Sequence, residues 1–226
     1  MHKIIQIAQK EKRSLLEPEA IEFLKEYGFF IPDYELIRTE DEIEKIKQKI
    51  NYPIVMKIVS PDIIHKSDAK GVRLNIKNEE EARIAFREII QNIKKYKKEA
   101  SILGVIVCQL FPTGTEIIIG MTKDPHFGPV IMFGLGGIFV EALKDASFRI
   151  LPLEEKDAIE MIKEIKGYNI LKGARGESPR DIDAIKEALM KVSCLVMENP
   201  EIREVDLNPV FVYKKGLQIV DARIIL

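Results

Sequence analysis

Residues 53–68 read PIVMKIVSPDIIHKSD, an apolar segment that holds one cation and runs directly into a polar loop. The apolar part predicts a strand over residues 53–59. A cation in such a strand is costly to bury without a partner. Lys57 is therefore either an edge-strand or solvent-facing lysine whose ammonium group reaches water, or a lysine that a rigid strand aims at phosphate oxygens.

The polar loop at residues 60–70 contains one of the three histidines of the chain. A neutral imidazole is a good nucleophile toward phosphoryl groups, which makes His65 a candidate catalytic residue. Lys66 follows it and is a candidate contact for nucleotide phosphates. The alternative is a solvated surface loop in which the histidine has no chemical role.

Polar oxygens cluster again in Asp206-Leu-Asn-Pro209 and at Asp221. We predict that two closing strands, at residues 204–212 and 217–222, carry these side chains. Asp206 and Asn208 are two residues apart in a strand and therefore share a face. Carboxylate and amide oxygens suit Mg²⁺, which few protein groups bind together with nucleotide phosphates. The alternative is turn chemistry, because Asn-Pro favours a turn between strands.

A glycine-rich segment, Gly134-Leu-Gly-Gly137, follows a predicted hairpin. The backbone N–H groups of Gly136 and Gly137 could approach a phosphate. The segment is neither a Walker A motif nor a dinucleotide-binding fingerprint, and a tight connection between strands explains it equally well.

Three charged residues in the second half of the chain are further catalytic candidates. Glu116 and Glu141 could orient a catalytic histidine or a metal ion, or they could be surface carboxylates. Arg175, within Gly173-Ala-Arg-Gly176, is either an anion contact or an ordinary loop residue.

The composition excludes several classes of function. The 226 residues include 35 Lys and Arg against 36 Asp and Glu, a net charge of −1, which argues against a nucleic-acid partner. The longest apolar runs fall far short of the roughly 18 residues of a membrane span, and the first residues lack a signal-peptide core. Cys108 and Cys194 cannot form a disulfide framework. We therefore expect a cytoplasmic protein with no membrane partner, and the Lys and Glu enrichment suggests a thermophile.

Helices and strands alternate along the whole chain, which predicts an α+β protein of two lobes with a ligand cleft between them. We expect a helical segment at residues 1–16, a first lobe at residues 17–111 with Lys57 and the His65 loop, and a second lobe at residues 112–226 with the metal site. Capping-box spacing predicts a helix from residue 40 to about residue 50. A strand is also predicted at residues 138–143.

These segments together resemble one family, the nucleotide-side subunit of the ADP-forming acyl-CoA synthetases, also called NDP-forming acetate–CoA ligases. The resemblance covers residues 17–222 and is more distant to the β subunit of succinyl-CoA synthetase, where Glu-Ile-Asn-Pro stands in place of Asp206-Leu-Asn-Pro209. It rests on the stretches at residues 53–57, 60–68, 71–72, 134–141, 148–149, 173–176 and 204–209.

The resemblance implies an ATP-grasp fold, in which two α+β lobes clamp ATP or ADP. It implies that Lys57 contacts nucleotide phosphates, that His65 is phosphorylated, and that residues 109–111 form the hinge beside adenine. The hinge residues are Gln109, Leu110 and Phe111, and the implied Mg²⁺ ligands are Asp206, Asn208 and Asp221.

The same resemblance implies a separate α subunit that carries the CoA and acyl chemistry, in an α₂β₂ heterotetramer. The reaction would be acyl-CoA + ADP + phosphate ⇌ acid + ATP + CoA. Two other functions remain open from the residues alone. One is an ATP-grasp carboxylate–amine ligase that does not need His65, and the other is a non-catalytic subunit that senses nucleotide.

Overall fold

The computed structural model describes residues 2–137 and 144–226, with Arg175 described by its backbone alone. The chain forms two compact units. The small unit is Pro32–Pro112, and the large unit combines the chain up to Ile31 with Thr113–Leu226.

Helices and strands follow one another along the described chain in the order predicted for a mixed α+β protein. They are α1 (Lys3–Lys10), α2 (Glu17–Glu26), β1 (Tyr34–Ile37), a 3₁₀ helix (Glu40–Gln48), β2 (Ile54–Val59), β3 (Val72–Ile76), α3 (Glu79–Tyr96), β4 (Gly104–Gln109), β5 (Thr115–Asp124), β6 (Gly128–Leu135), β7 (Ala146–Ile150), α4 (Glu155–Glu164), α5 (Tyr168–Leu171), a 3₁₀ turn (Ala174–Gly176), α6 (Ile182–Glu198), β8 (Glu204–Val212), β9 (Leu217–Ile219) and β10 (Ala222–Ile225).

The small unit is built on an antiparallel sheet with strand order β1-β4-β2-β3. β2 is an inner strand, and Lys57 lies opposite Ile106 of β4 and Val72 of β3. The edge-strand interpretation of Lys57 is therefore wrong, and its residue surface is only 5% exposed. Met56 and Ile58 point to the other face of β2, where they pack into the hydrophobic core with α3.

The large unit is built on an antiparallel sheet with strand order β10-β8-β5-β6-β7, and β9 also pairs with β8. α4 lies against one face, where Ser147 Oγ of β7 donates a 2.9 Å hydrogen bond to the carbonyl oxygen of Met161. α6 packs on α4. The opposite face of this sheet carries Asp206 and Asn208, two of the residues that the sequence marks for metal chemistry.

Two elements differ from the predicted ones. The helix predicted from residue 40 to about residue 50 is a 3₁₀ helix over residues 40–48. Ile43 and Ile46 are both buried, and their spacing of three puts them on one side of a helix with 3.0 residues per turn. The predicted strand at residues 217–222 is two strands, which pair with β8 on either side of Pro209, a residue that has no N–H to donate to the ladder.

The two units divide between residues 112 and 113, and the N-terminal residues join the large unit. Residues 17–31, predicted in the first lobe, belong to the large unit. The reason is that α2 packs on β10 and the Leu15 N–H donates to the Ile224 carbonyl at 3.1 Å. The predicted strand at residues 138–143 lies outside the described residues.

Within the described part of the chain, no helix has the length and apolar character needed to cross a bilayer.

Candidate functional site

One row of residues crosses the helix-free face of the large sheet, by which we mean the face away from α4, on which no helix of the described residues packs. Cross-strand partners lie on the same face, and the register pairs β10 to β8, β8 to β5, β5 to β6 and β6 to β7 along a single line. The row consists of Arg223, Asp206, Gly120, Met132 and Phe148. It joins the predicted metal cluster to the centre of the sheet.

The metal candidates Asp206, Asn208 and Asp221 come together at one end of this row. Asp206 and Asn208 alternate with the buried Val205 and Leu207, so they share the helix-free face. Asn208 N–H donates to the Asp221 carbonyl oxygen at 3.2 Å, which brings the two residues side by side. Asp206 and Asn208 thus share a face, as their spacing of two in a strand predicts, and metal binding by the three residues stays a prediction.

The donor set of this cluster fits a magnesium ion that is shared with a ligand. Its side chains supply oxygen donors only, which Mg²⁺ prefers. Among the described residues, no group of three His, Cys, Asp or Glu side chains could hold a metal ion by itself. An ion here would therefore take part of its coordination from water or from phosphate oxygens.

A cavity of about 630 Å³ opens at one end of the large sheet, where β5 begins and β6 and β8 end. Glu116 and two glycines meet there. The lining residues are Thr113, Gly114, Thr115, Glu116, Leu135, Gly136, Gly137, Ile170, Glu177, Arg180, Val212, Tyr213 and Lys214.

The two glycines pack closely against Glu116. Gly136 N–H donates to the Glu116 carbonyl oxygen at 2.8 Å, and a Cβ at position 136 would lie 2.8 Å from the Glu116 Cβ. Gly137 has φ +60°, and a Cβ there would lie 3.3 Å from Glu116 Oε2. Packing on Glu116 therefore accounts for the small residues at both positions, and a phosphate contact by their backbone stays a prediction. Their small size also leaves the Glu116 carboxylate and the glycine backbone together in the cavity wall.

Arg180 is a cavity residue that the sequence analysis missed. Its Nε donates to Thr115 Oγ1 at 2.6 Å, its Nη1 donates to the Ser178 carbonyl at 3.0 Å, and its Nη2 pairs with Glu177. These bonds fix a guanidinium group beside β5. No sequence motif could have found it, because Thr115 is 65 residues away in the chain.

The two other charged candidates in this region are incompletely described. Arg175 lies in the 3₁₀ turn Ala174–Gly176, and its side chain is outside the described part of the structure. Glu141 lies entirely outside it.

His65 is displayed on an anchored loop of the small unit. Ile63 and Ala69 on either side of it are 5% and 2% exposed and pack into the core, whereas His65 itself is exposed. The Gly71 N–H donates to the Lys66 carbonyl at 2.7 Å and closes the turn. The loop is thus anchored on both sides of His65, and it exposes the imidazole to solvent.

Asp62 anchors the start of the His65 loop. Its Oδ1 accepts from Lys97 Nζ at 2.8 Å and its Oδ2 accepts from Ser101 N–H at 2.8 Å. The hydrogen bond from Lys97, followed by that from Ser101, lowers the pKa of the Asp62 carboxyl below its ordinary value. The hydrogen bonds that anchor the loop are therefore strongest when the Asp62 carboxyl is ionised.

The remaining nucleotide candidates also belong to the small unit. Lys57 is buried on inner strand β2, whereas Lys66 is half-buried in the His65 loop. Gln109 ends β4 opposite Ile54, and Leu110 N–H continues the pairing by donating to the Pro53 carbonyl at 2.9 Å. Phe111 follows, half-buried, one residue before the unit boundary.

Comparison with known proteins gives the family. The ATP-grasp domain family matches residues 6–226. The β subunit of acetate–CoA ligase [ADP-forming] I of Pyrococcus furiosus is 56% identical over 223 residues, which are 99% of this chain and 96% of that one.

Solved structures agree in fold over the whole chain. A chain of acetyl-coenzyme A synthetase 1 from Ca. Korarchaeum cryptofilum, in complex with coenzyme A and Ca-AMPCP, matches with a TM-score of 0.93 and 50% identity over 98% of both chains. A second structure of that enzyme holds coenzyme A and Mg-AMPPCP, with its phosphohistidine segment pointing towards the nucleotide binding site. It matches with a TM-score of 0.85 and 47% identity over 99% of this chain and 98% of that one.

This chain belongs to the ATP-grasp family, among the β subunits of the ADP-forming acyl-CoA ligases. The predicted fold and the resemblance in the sequence are both confirmed. The more distant similarity is confirmed as well, since the β subunit of succinate–CoA ligase from Ignicoccus hospitalis is 25% identical over 218 residues, 94% of this chain and 55% of that one.

Proposed function

We propose that the chain binds ADP or ATP with Mg²⁺ and, with a separate α subunit, catalyses acyl-CoA + ADP + phosphate ⇌ acid + ATP + CoA. The observation that carries the proposal is the 56% identity to a β subunit of this ligase class over almost the full length of both chains. His65 is exposed on a loop whose two flanking apolar residues are buried, which supports a catalytic role for it in the reaction.

In this proposal His65 relays a phosphoryl group. The unprotonated ring nitrogen of His65 attacks the phosphorus of a phosphohistidine on the α subunit. A nitrogen–phosphorus bond forms on His65 as the one on the α subunit breaks, and the donor imidazole leaves. A terminal β-phosphate oxygen of ADP then attacks the same phosphorus, forms the new phosphoanhydride of ATP and releases His65. Splitting the transfer replaces one long-range step by two direct ones.

Lys57 and the oxygen cluster would hold the charged end of the nucleotide. A lysine on an inner strand is fixed in place, which suits the stabilisation of charge that develops on phosphate oxygens. Asn208 and Asp221, with Asp206 beside them, would hold Mg²⁺, which supplies electrostatic stabilisation of the transferred group when it is bound. Gln109, Leu110 and Phe111 would lie beside the adenine ring.

Glu116, with Gly136 and Gly137, would shape the place where the phosphoryl group is handed over. The carboxylate and the glycine backbone share one cavity wall, so an imidazole N–H and phosphate oxygens could both find partners there. Glu141 and Arg175 remain proposed helpers at the same step.

The proposed assembly is an α₂β₂ heterotetramer, in which the α subunit contributes the CoA and acyl sites. The word "subunit" in the name of the Pyrococcus furiosus relative supports a partner chain. The identity of the acyl group would then be set by the partner.

The proposal is tested by phosphoryl labelling. Wild-type chain, His65→Ala and the matched control His126→Ala are incubated with Mg²⁺ and γ-labelled ATP, alone and with the α subunit. His126 is the control because its side chain is 85% exposed on the turn between β5 and β6.

We expect acid-labile, base-stable label on the wild type and on His126→Ala, and none on the His65→Ala β chain. Label that survives in the His65→Ala β chain would contradict the relay. Retained ligation of a carboxylate to an added amine by His65→Ala would instead support a carboxylate–amine ligase. Tight nucleotide binding without label under any condition would support a sensing subunit.

A further inference from the structure

Arg223 is the one cation in the row that crosses the helix-free face of the large sheet. It lies directly opposite Asp206 in the β8–β10 ladder, and its Nη2 lies 3.5 Å from Asp206 Oδ2. The same Nη2 donates a hydrogen bond to Glu204 Oε1. The guanidinium group is therefore held by two carboxylates at the edge of the proposed metal cluster.

Two carboxylates hold the guanidinium group of Arg223 in place, but they do not use all of its hydrogen-bond donors. Its side chain is only 30% exposed, and no acceptor among the described residues reaches its buried Nε. A buried donor in a purely structural role is normally satisfied. On the other side of Asp206 lies Gly120, which has no side chain, so Arg223 is the neighbour in the row that can neutralise this carboxylate.

This neutralisation changes what the cluster can bind. Glu204, Asp206 and Asp221 carry three formal negative charges, and Arg223 reduces the local total to two. A more negative cluster binds a free divalent cation more tightly but repels the phosphates that must share the ion. A less negative cluster accepts the ion together with its nucleotide.

We propose that Arg223 is a positioning residue for the metal–nucleotide complex. By pairing with Asp206 and Glu204 it keeps Asp206 away from the ion and leaves Asn208 and Asp221 as the protein ligands. The site then retains a divalent cation mainly when phosphate oxygens complete its coordination. This inference rests on the proposed metal site and assigns a function to a residue that the sequence analysis did not single out.

The test measures Mn²⁺ binding to the full chain by the electron paramagnetic resonance signal of free Mn²⁺, without and with ADP. We expect Arg223→Met to bind Mn²⁺ about five-fold more tightly without ADP, which is the effect of removing one unit charge roughly 8 Å from a divalent ion in water-like surroundings. In the assembled enzyme, KM for ADP should rise about five-fold while kcat stays within about two-fold.

Two variants control for charge and shape. Arg223→Lys keeps the charge, so its Mn²⁺ affinity and its KM for ADP should both lie close to those of the wild type. Arg203→Met removes the same charge from an exposed position just before β8. It should leave Mn²⁺ affinity within about two-fold, because salt screens a solvent-exposed charge.

Equal Mn²⁺ binding by wild type and Arg223→Met, including none by either, would overturn the inference. Should Arg223→Met fail to fold, Glu204→Gln tests the same charge balance, and we expect weaker Mn²⁺ binding from it, whereas unchanged binding would overturn the inference. Asp221→Asn tests the underlying metal site separately. Mn²⁺ binding that survives this change would contradict the proposed site itself.

Discussion

Single residues in this protein derive their chemistry from neighbours that are distant in sequence. Lys57 is fixed because β3 and β4 flank its strand, and Arg180 is fixed because Thr115 accepts from it. The sequence could place Lys57 in a strand but could not distinguish an edge strand from an inner one. Which strands pair depends on segments that are distant in the chain, and the residues of one strand do not reveal it. Arg180 could not be found for the same reason.

Asp62 makes the anchoring of the His65 loop dependent on pH. Its pKa is lowered in the folded protein by Lys97 and Ser101, so the ionised form stabilises the fold above the ordinary aspartate range. That contribution is lost as pH falls through the folded pKa. We expect the urea midpoint of wild type to exceed that of Asp62→Asn at pH 7, and the difference to shrink progressively as pH falls below about 4 toward the lowered pKa of Asp62.

The measurement is urea unfolding followed by circular dichroism from pH 7 to pH 3. Asp68→Asn, an exposed position in the same loop, is the control and should change stability by less than about 0.5 kcal/mol. A difference between wild type and Asp62→Asn that stays constant down to pH 3 would show that the charge of Asp62 does not anchor the loop.

At the scale of elements, the glycine segment after β6 is shaped by its packing on β5. An alanine at position 136 would put its Cβ 2.8 Å from the Glu116 Cβ. We expect Gly136→Ala to lower the free energy of unfolding by about 1–3 kcal/mol, because the backbone must shift to relieve the overlap. It should also reduce turnover, since Glu116 would move within the cavity.

Gly120→Ala is the matched control for stability, because its nearest contact would be 3.4 Å from the Met132 Cε. It should change the free energy of unfolding by no more than about 1 kcal/mol. If Gly136→Ala were as stable as the wild type, the close packing of Gly136 on Glu116 would not shape this segment.

Most elements were predictable from local patterns, and the exceptions have local causes. Alternating apolar residues identified β5, β6 and β8, and Asn78 caps α3 through a 2.9 Å hydrogen bond from the Glu81 N–H. A capping box does not distinguish an α-helix from a 3₁₀ helix, so the sequence predicted the helix at residues 40–48 but not its type. The break between β9 and β10 depends on Pro209 in the neighbouring strand, which periodicity within one segment cannot reveal.

At the scale of the whole molecule, the chain forms two units with separate sheets, and the N-terminal helices join the larger one. The sequence predicts a boundary near residue 112 because Pro112 and Gly114 interrupt the pattern. It could not reveal that α2 packs on β10, because that contact joins the two ends of the chain.

Because each unit has its own core, we expect a core defect to act within one unit. Ile89 of α3 is fully buried in the small unit, so Ile89→Ala should cost that unit about 2–5 kcal/mol. Hydrogen exchange should rise in β2, β3 and β4 and stay unchanged in β5, β6 and β8. An equal rise in both sheets would show that the chain unfolds as one cooperative unit.

The central claim is that His65 carries the phosphoryl group during turnover, and rapid quench of the assembled αβ enzyme tests it most directly. With labelled phosphate, acyl-CoA and ADP, the account predicts that label on His65 rises before ATP appears and decays at a rate no slower than kcat. Phosphorylation of His65 slower than turnover, or full turnover by a His65→Ala enzyme, would contradict it.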